Sequence, residues 1–250
     1  PCSFLKYLIN YSINNCEYVG ASNEGDAVAI SSGAHVGGRN SVVLMQNSGL
    51  TNAISPLTSL NHTFRIPILG FVSLRGETGI NDEPQHQLMG QITTSILDSM
   101  GIKWAYLSDD KNKAFNQIKD ADNYIKKNTS FFFVVKKNTF DKVELNSNKN
   151  SQLGLIKKNV MIKKDNVTKA KRLEVLKVIN NVTKDNVIVL ATTGKTGREL
   201  YEIEDKSNNL YMVGSLGCIS SLGLGLSLVR KNKKVVVVFF GNLTAKVFLL

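Results

Sequence analysis

Cysteine is scarce in this sequence. Cys2, Cys16 and Cys218 are scattered over 250 positions, an odd number without the short spacings that bind zinc. That excludes a disulfide scaffold and predicts reduced thiols in a cytoplasmic protein. Long apolar runs are missing too: the run from Val235 to Phe240 falls far short of the roughly 20 residues that cross a bilayer, so no membrane partner is expected. No secretory signal is expected, and the opening at Pro1 rather than Met predicts a missing N-terminal segment. Triplet repeats are absent, and 42% hydrophobic against 20% charged residues excludes a disordered chain. What is left is a globular protein large enough for one large or two modest domains.

Positive charge, by contrast, is abundant. The formal net charge is +11. From Lys136 to Lys184 there are thirteen Lys or Arg against four Asp or Glu, so nine of those charges fall in one stretch. That stretch mixes lysine with asparagine, holds one arginine (Arg172) and lacks interleaved aromatics. It reads as a solvated linker face rather than a phosphate-reading surface, and no nucleic-acid partner is expected.

Short apolar runs alternate with helix-like stretches, the pattern of βα units around parallel sheets and hence an α/β fold. Strands are expected at Tyr18–Val19, Ser41–Met45, Ile66–Ser73, Lys103–Tyr106 and Ser130–Val135. Helices are expected from Asn23, an N-cap, to the Gly37–Gly38 pair, then at Gly49–Leu60, Gln85–Met100 and Lys111–Lys127. Residues 1–136 form one domain and 137–184 a linker that ends in a helix over Val167–Asn180. Residues 185–250 begin a second domain: strands Val187–Ala191, Leu210–Val213 and Lys234–Phe240, with a Gly/Ser-rich helix ending at Arg230. The chain stops one strand into what looks like a longer domain.

Four stretches carry candidate chemistry. Gly194-Lys195-Thr196 resembles a nucleotide phosphate loop, but the glycine required five positions earlier is Val189, so that reading fails. A strand, turn and helix start that offer free N–H groups to an anion remain, beside an ordinary βα turn. Gly214-Ser215-Leu216-Gly217-Cys218 is a second turn of this kind. The helix after it tolerates Gly223 and Gly225, about 1 kcal/mol each against alanine, which implies a close approach by something, and the two turns together suggest a shared anion. Glu24 opens a helix apolar on most faces. It is either a dipole partner of that helix or a partly desolvated acid with a raised pKa. Last, the loop from Arg75-Gly76-Glu77 to Asp82-Glu83-Pro84-Gln85-His86 follows a strand at the carboxyl edge, where α/β sheets place ligands. Gln46-Asn47-Ser48-Gly49 lines the same rim, and His86 reads as a surface histidine.

These segments, with Pro1-Cys2-Ser3-Phe4-Leu5-Lys6, resemble in order those of the phosphonopyruvate decarboxylases, a thiamine-diphosphate family close to the sulfopyruvate decarboxylases. The resemblance implies two thiamine-diphosphate-binding domains, pyrimidine-binding then diphosphate-binding, with parallel sheets flanked by helices and the second one truncated. It implies a homo-oligomer, at least a dimer, because the cofactor lies between domains of different subunits. Glu24 matches the glutamate that hydrogen-bonds the aminopyrimidine and passes it a proton. The implied reaction takes a small-molecule 2-oxo acid, 3-phosphonopyruvate, to phosphonoacetaldehyde and CO2 in organic phosphonate biosynthesis. Sulfopyruvate decarboxylase is the alternative, or an inactive truncated fragment of the family.

Gly194, Lys195, Thr196, Ser215 and Gly217 match the diphosphate side, and Leu216 the apolar wedge that bends the cofactor. Ser3, Asn47, Ser48, Arg75 and His86 would line the substrate side, with Arg75 gripping the phosphonate bidentately. Where the family carries Asp-Gly-Asp-Gly for Mg²⁺, this chain reads Phe240-Gly241-Asn242-Leu243. Asn242 is then the metal residue, an oxygen ligand without charge.

Overall fold

A computed structural model describes residues 3–146, 170–240 and 245–249. Two four-stranded sheets organise the chain. The first is built from β1 (Val42–Gln46), β2 (Leu69–Ser73), β3 (Lys103–Tyr106) and β4 (Phe131–Val135), in the order β1-β2-β4-β3 and parallel throughout. All five residues of β4, a Phe-Phe-Phe-Val-Val run, are buried, as an inner strand covered on both faces requires. One face packs under α1 (Lys6–Asn15), and α2 (Glu24–Val36) and α3 (Leu50–Pro56) cover the other. Beyond Pro56, which cannot donate to the carbonyl four residues back, the chain widens into a π-helical turn over Leu57–Asn61 and ends in α4 (His62–Phe64). α5 (Gln87–Ser99) and α6 (Lys111–Lys126) complete this half, and Leu97 of α5 and Ala121 of α6 enter its two cores.

The second sheet holds β5 (Val187–Ala191), β6 (Asn209–Tyr211), β7 (Lys234–Phe240) and β8 (Ala245–Leu249), in the order β6-β5-β7-β8. Helices α7 (Arg172–Val182) and α8 (Lys195–Ile203) cover one face, and α9 (Ile219–Val229) the other. Helix α2 lies between the sheets: Val28 enters the core of the first, and Ala29, with Leu60 and Ile66, joins the core of the second. Its crossing with α9 is close. A Cβ at Gly33 would sit 2.0 Å from the Leu222 carbonyl oxygen, and one at Gly225 would sit 1.9 Å from that of Ile30.

The expected α/β architecture is borne out, with corrections. Tyr18 and Val19 are exposed and belong to neither sheet. The strand expected from Ile66 starts at Leu69, since Pro67 has no N–H for a ladder. Helix α1 was not expected. The last strand does not end a parallel series: β8 returns antiparallel to β7, pairing Val238 with Val247. The close approach expected at the glycines of the last helix is found at Gly225, where the backbone of α2 makes it. The predicted start of the linker helix at Val167 lies outside the described residues.

Candidate active site

The carboxyl edges of the strands carry the candidate residues. Asn23 caps α2 by accepting from the Asp26 N–H at 3.0 Å, which puts Glu24 in the first helical turn. The Glu24 carboxylate is half-buried. Asn52 Nδ2 donates to its Oε2 at 3.0 Å, and a Cβ on Gly49 would come within 1.9 Å of its Cδ. Only glycine at position 49 leaves room for the acid there. Two residues on, Asp26 accepts from Ser221 Oγ at 2.6 Å, tying α2 to α9. Burial, and after it the Asp26 charge, pushes the neighbouring Cys218 thiol up.

At the second sheet, Thr192-Thr193-Gly194 follows β5, and Met212 to Cys218 follows β6. The two loops touch, the Gly214 N–H donating to Thr193 Oγ1 at 3.4 Å. Gly194, Gly214, Ser215 and Gly217 all have positive φ, and a Cβ on Gly194 or Gly217 would meet nothing within 4 Å. Ser215 is buried, and its N–H donates at 2.9 Å to Ser59 Oγ in the π-helical turn. Thr196 is buried and Lys195 exposed. Leu216 is 81% exposed, the most exposed of the chain's large hydrophobic side chains among the described residues. A groove of about 490 Å³ runs beside these loops, lined by Thr193, Gly194, Arg198, Tyr201, Tyr211 and Val213 among others; Glu24 is not in its wall.

At the first sheet the rim is occupied by its own side chains. Arg75, two residues beyond β2, pairs with Asp82 through Nε at 2.7 Å and through Nη2. The same carboxylate accepts from the N–H groups of Gly76 at 2.9 Å and Glu83 at 2.8 Å. Arg75 above all, with the two backbone donors, holds Asp82 well below the usual carboxylate range. Asn47 is buried, donates to the Arg75 carbonyl at 2.8 Å and accepts from its N–H at 3.3 Å. Ser3 and Ser48 are exposed.

Two expectations change here. The guanidinium edge expected to grip a phosphonate grips Asp82, because a carboxylate seven residues on folds back to it. His86 is not a surface residue: the loop packs over it, its carbonyl lies where a Cβ on Gly76 would be, and its Nδ1 is buried without a hydrogen-bond partner among the described residues. Asn242 lies outside the described residues, and among those described no group of His, Cys, Asp or Glu could hold a metal ion. Lys136 escaped the sequence reading as a site residue, and with it the pairing to Glu77 of the Arg75–His86 loop. The signal was a charged residue directly after the most apolar strand.

No family model matches the chain. Individual proteins do. The phosphonopyruvate decarboxylase of Streptomyces viridochromogenes is 32% identical over 243 residues, covering 95% of this chain and 60% of that protein. Sulfopyruvate decarboxylase subunit alpha of Methanococcus maripaludis is 34% identical over 124 residues, 48% of this chain and 72% of that one. Subunit beta of the Methanocaldococcus jannaschii enzyme is 37% identical over 67 residues, 27% of this chain and 36% of that one. The chain thus spans about 60% of the length of the phosphonopyruvate decarboxylases it matches. It belongs to the family of the phosphonopyruvate and sulfopyruvate decarboxylases.

Proposed function

We propose that the chain takes part in thiamine-diphosphate-dependent decarboxylation of 3-phosphonopyruvate to phosphonoacetaldehyde and CO2. The observation that carries this reading is Glu24: a half-buried carboxylate at a helix start, held by Asn52 and given its space by Gly49. That arrangement suits a group that hydrogen-bonds one ring nitrogen and holds or passes a proton there. The turns of the second sheet suit the other end of such a cofactor. Gly194, Lys195, Thr196, Ser215 and Gly217 would hold the diphosphate through turn amides and one ammonium. Leu216, exposed and apolar, would be the wedge, and Asn242 the metal residue beside Mg²⁺.

When bound, thiamine diphosphate supplies the carbon nucleophile for the keto group and the sink for the electron pair left by departing CO2. This chain's residues supply the proton at Glu24, the orientation of both ends and a rim for the acid groups of the substrate. Ser3, Asn47, Ser48, Arg75 and His86 form that rim, Asn47 and Arg75 as its braced frame. Residues 1–136 then act as the pyrimidine-binding part and 185–250 as the diphosphate-binding part, joined by 137–184. A homo-oligomer fits the exposed Leu216, Val213 and Tyr201 of the second half. Sulfopyruvate is the second reading, favoured by the similarity to sulfopyruvate decarboxylase subunits. Among the described residues no helix is long and apolar enough to cross a membrane.

Two measurements test the proposal. Calorimetric titration with thiamine diphosphate and Mg²⁺ is expected to give binding heat, and its absence at millimolar cofactor favours an inactive member of the family. Parallel CO2-release assays with 3-phosphonopyruvate and sulfopyruvate then decide the substrate.

A further inference from the structure

The inference drawn here rests on the decarboxylase reading and concerns which cation meets the acid group at the far end of the substrate. Arg75 and Lys136 stand at the carboxyl ends of adjacent parallel strands, β2 and β4. The Leu74 N–H donates to the Val135 carbonyl at 2.8 Å, so the two chains are still paired one residue before these cations. Both cations pair with carboxylates of the same loop, Arg75 with Asp82 and Lys136 with Glu77. The pairs differ in what a competing anion would have to displace.

Asp82 accepts four N–H groups and Arg75 is 20% exposed, with Phe4 at 5.4 Å from its guanidinium carbon. Removing that carboxylate would unmake the loop. Lys136 is 44% exposed, bonded to one oxygen of Glu77 and laid over the Tyr106 ring at 4.7 Å. An ammonium with one carboxylate and an open water side exchanges its counter-ion cheaply. Tyr106 keeps the ammonium at the rim whichever anion it faces.

We propose that Lys136 is the specificity-determining residue for the tetrahedral oxyanion of the substrate, phosphonate or sulfonate, and that Glu77 is the resting counter-ion it leaves. Arg75 is on this account a positioning residue, fixed by Asp82 and bracing the rim through Asn47.

The test uses 3-phosphonopropionate, which carries both acid groups but no keto carbon, titrated calorimetrically into the full chain. Wild type is expected to bind it, Lys136→Met to bind at least about tenfold more weakly, and Glu77→Gln about threefold more tightly. Lys136→Arg is expected to restore most of the loss. In turnover, Lys136→Met is expected to raise KM for 3-phosphonopyruvate while leaving KM for pyruvate, which lacks the distal acid, in place. A Lys136→Met affinity within twofold of wild type, or a wild type that fails to bind at millimolar probe, overturns the inference. Lys136-dependent probe binding without any cofactor heat leaves the anion site standing and overturns the decarboxylase reading alone.

Discussion

The rims of the two sheets are built by different means. Around the first sheet, side chains answer side chains: Asp82 gathers Arg75, Gly76 and Glu83, and Asn47 ties Arg75 to Thr93. Around the second, the turns after β5 and β6 carry four residues at positive φ with open space beside Gly194 and Gly217, and side-chain hydroxyls take only the N–H groups of Gly214 and Ser215 among those four. A rim of mutually satisfied side chains is set before a ligand arrives, and its discrimination comes from the few groups left exchangeable. A rim of glycine-rich turns presents its remaining amides, which suit a phosphate of any attachment. On the proposed reading, one rim selects and the other holds.

Three substitutions sharpen that contrast, in falling order of effect. Glu24→Gln keeps the fold and the hydrogen bond from Asn52 but removes the proton, and turnover should fall on the order of 10²- to 10⁴-fold. Steady-state rates within a factor of about three of wild type would take the acid role away from this residue.

Asp82→Asn strikes the selecting rim. It should cost about 2 kcal/mol in denaturant unfolding at neutral pH, the scale of hydrogen bonds to a charged group. The sign with pH follows from a folded-state pKa held below the unfolded one. The contribution of Asp82 is complete above the ordinary aspartate value near 4 and is lost as pH falls below it. The gap between wild type and variant should therefore close on acidification, and a gap that stays constant from pH 7 to pH 3 breaks the account.

Gly194→Ala strikes the holding rim. Its backbone, φ 84° and ψ −140°, suits glycine, yet no atom stands in the way. Strain of about 1 kcal/mol is the whole expected cost to stability. A larger loss, read from the urea midpoint, would mean that this turn is packed as tightly as the other rim.

Much of this architecture was legible in the residues. The Asn23 cap, the closing Gly37, the Phe-rich inner strand and the Lys103–Tyr106 strand are local signals, and local signals survive folding. The N-terminal helix was missed although Leu5, Leu8 and Ile9 follow helical spacing, because Asn and Ser dilute its propensity and Leu5 is fully buried only through tertiary packing. The strand expected at Tyr18–Val19 had the composition but pairs with neither sheet. For the site, residue types indicated where polar groups gather but not which of them pair. Asp82 reaches Arg75 across seven positions and Lys136 reaches Glu77 across fifty-nine, and no periodicity records such a meeting. Gly225 taught the same lesson: the need for close approach was readable, the identity of the visitor was not.

From Glu24 through His35 no residue of α2 is exposed. Neighbouring positions answer to different masters, Val28 to one core and Ala29 to the other. The segment therefore lacks an outer face on which substitutions can accumulate harmlessly. A randomised library over it would be purged from both directions at once, leaving the acid at its head among the hardest positions in the chain to relocate.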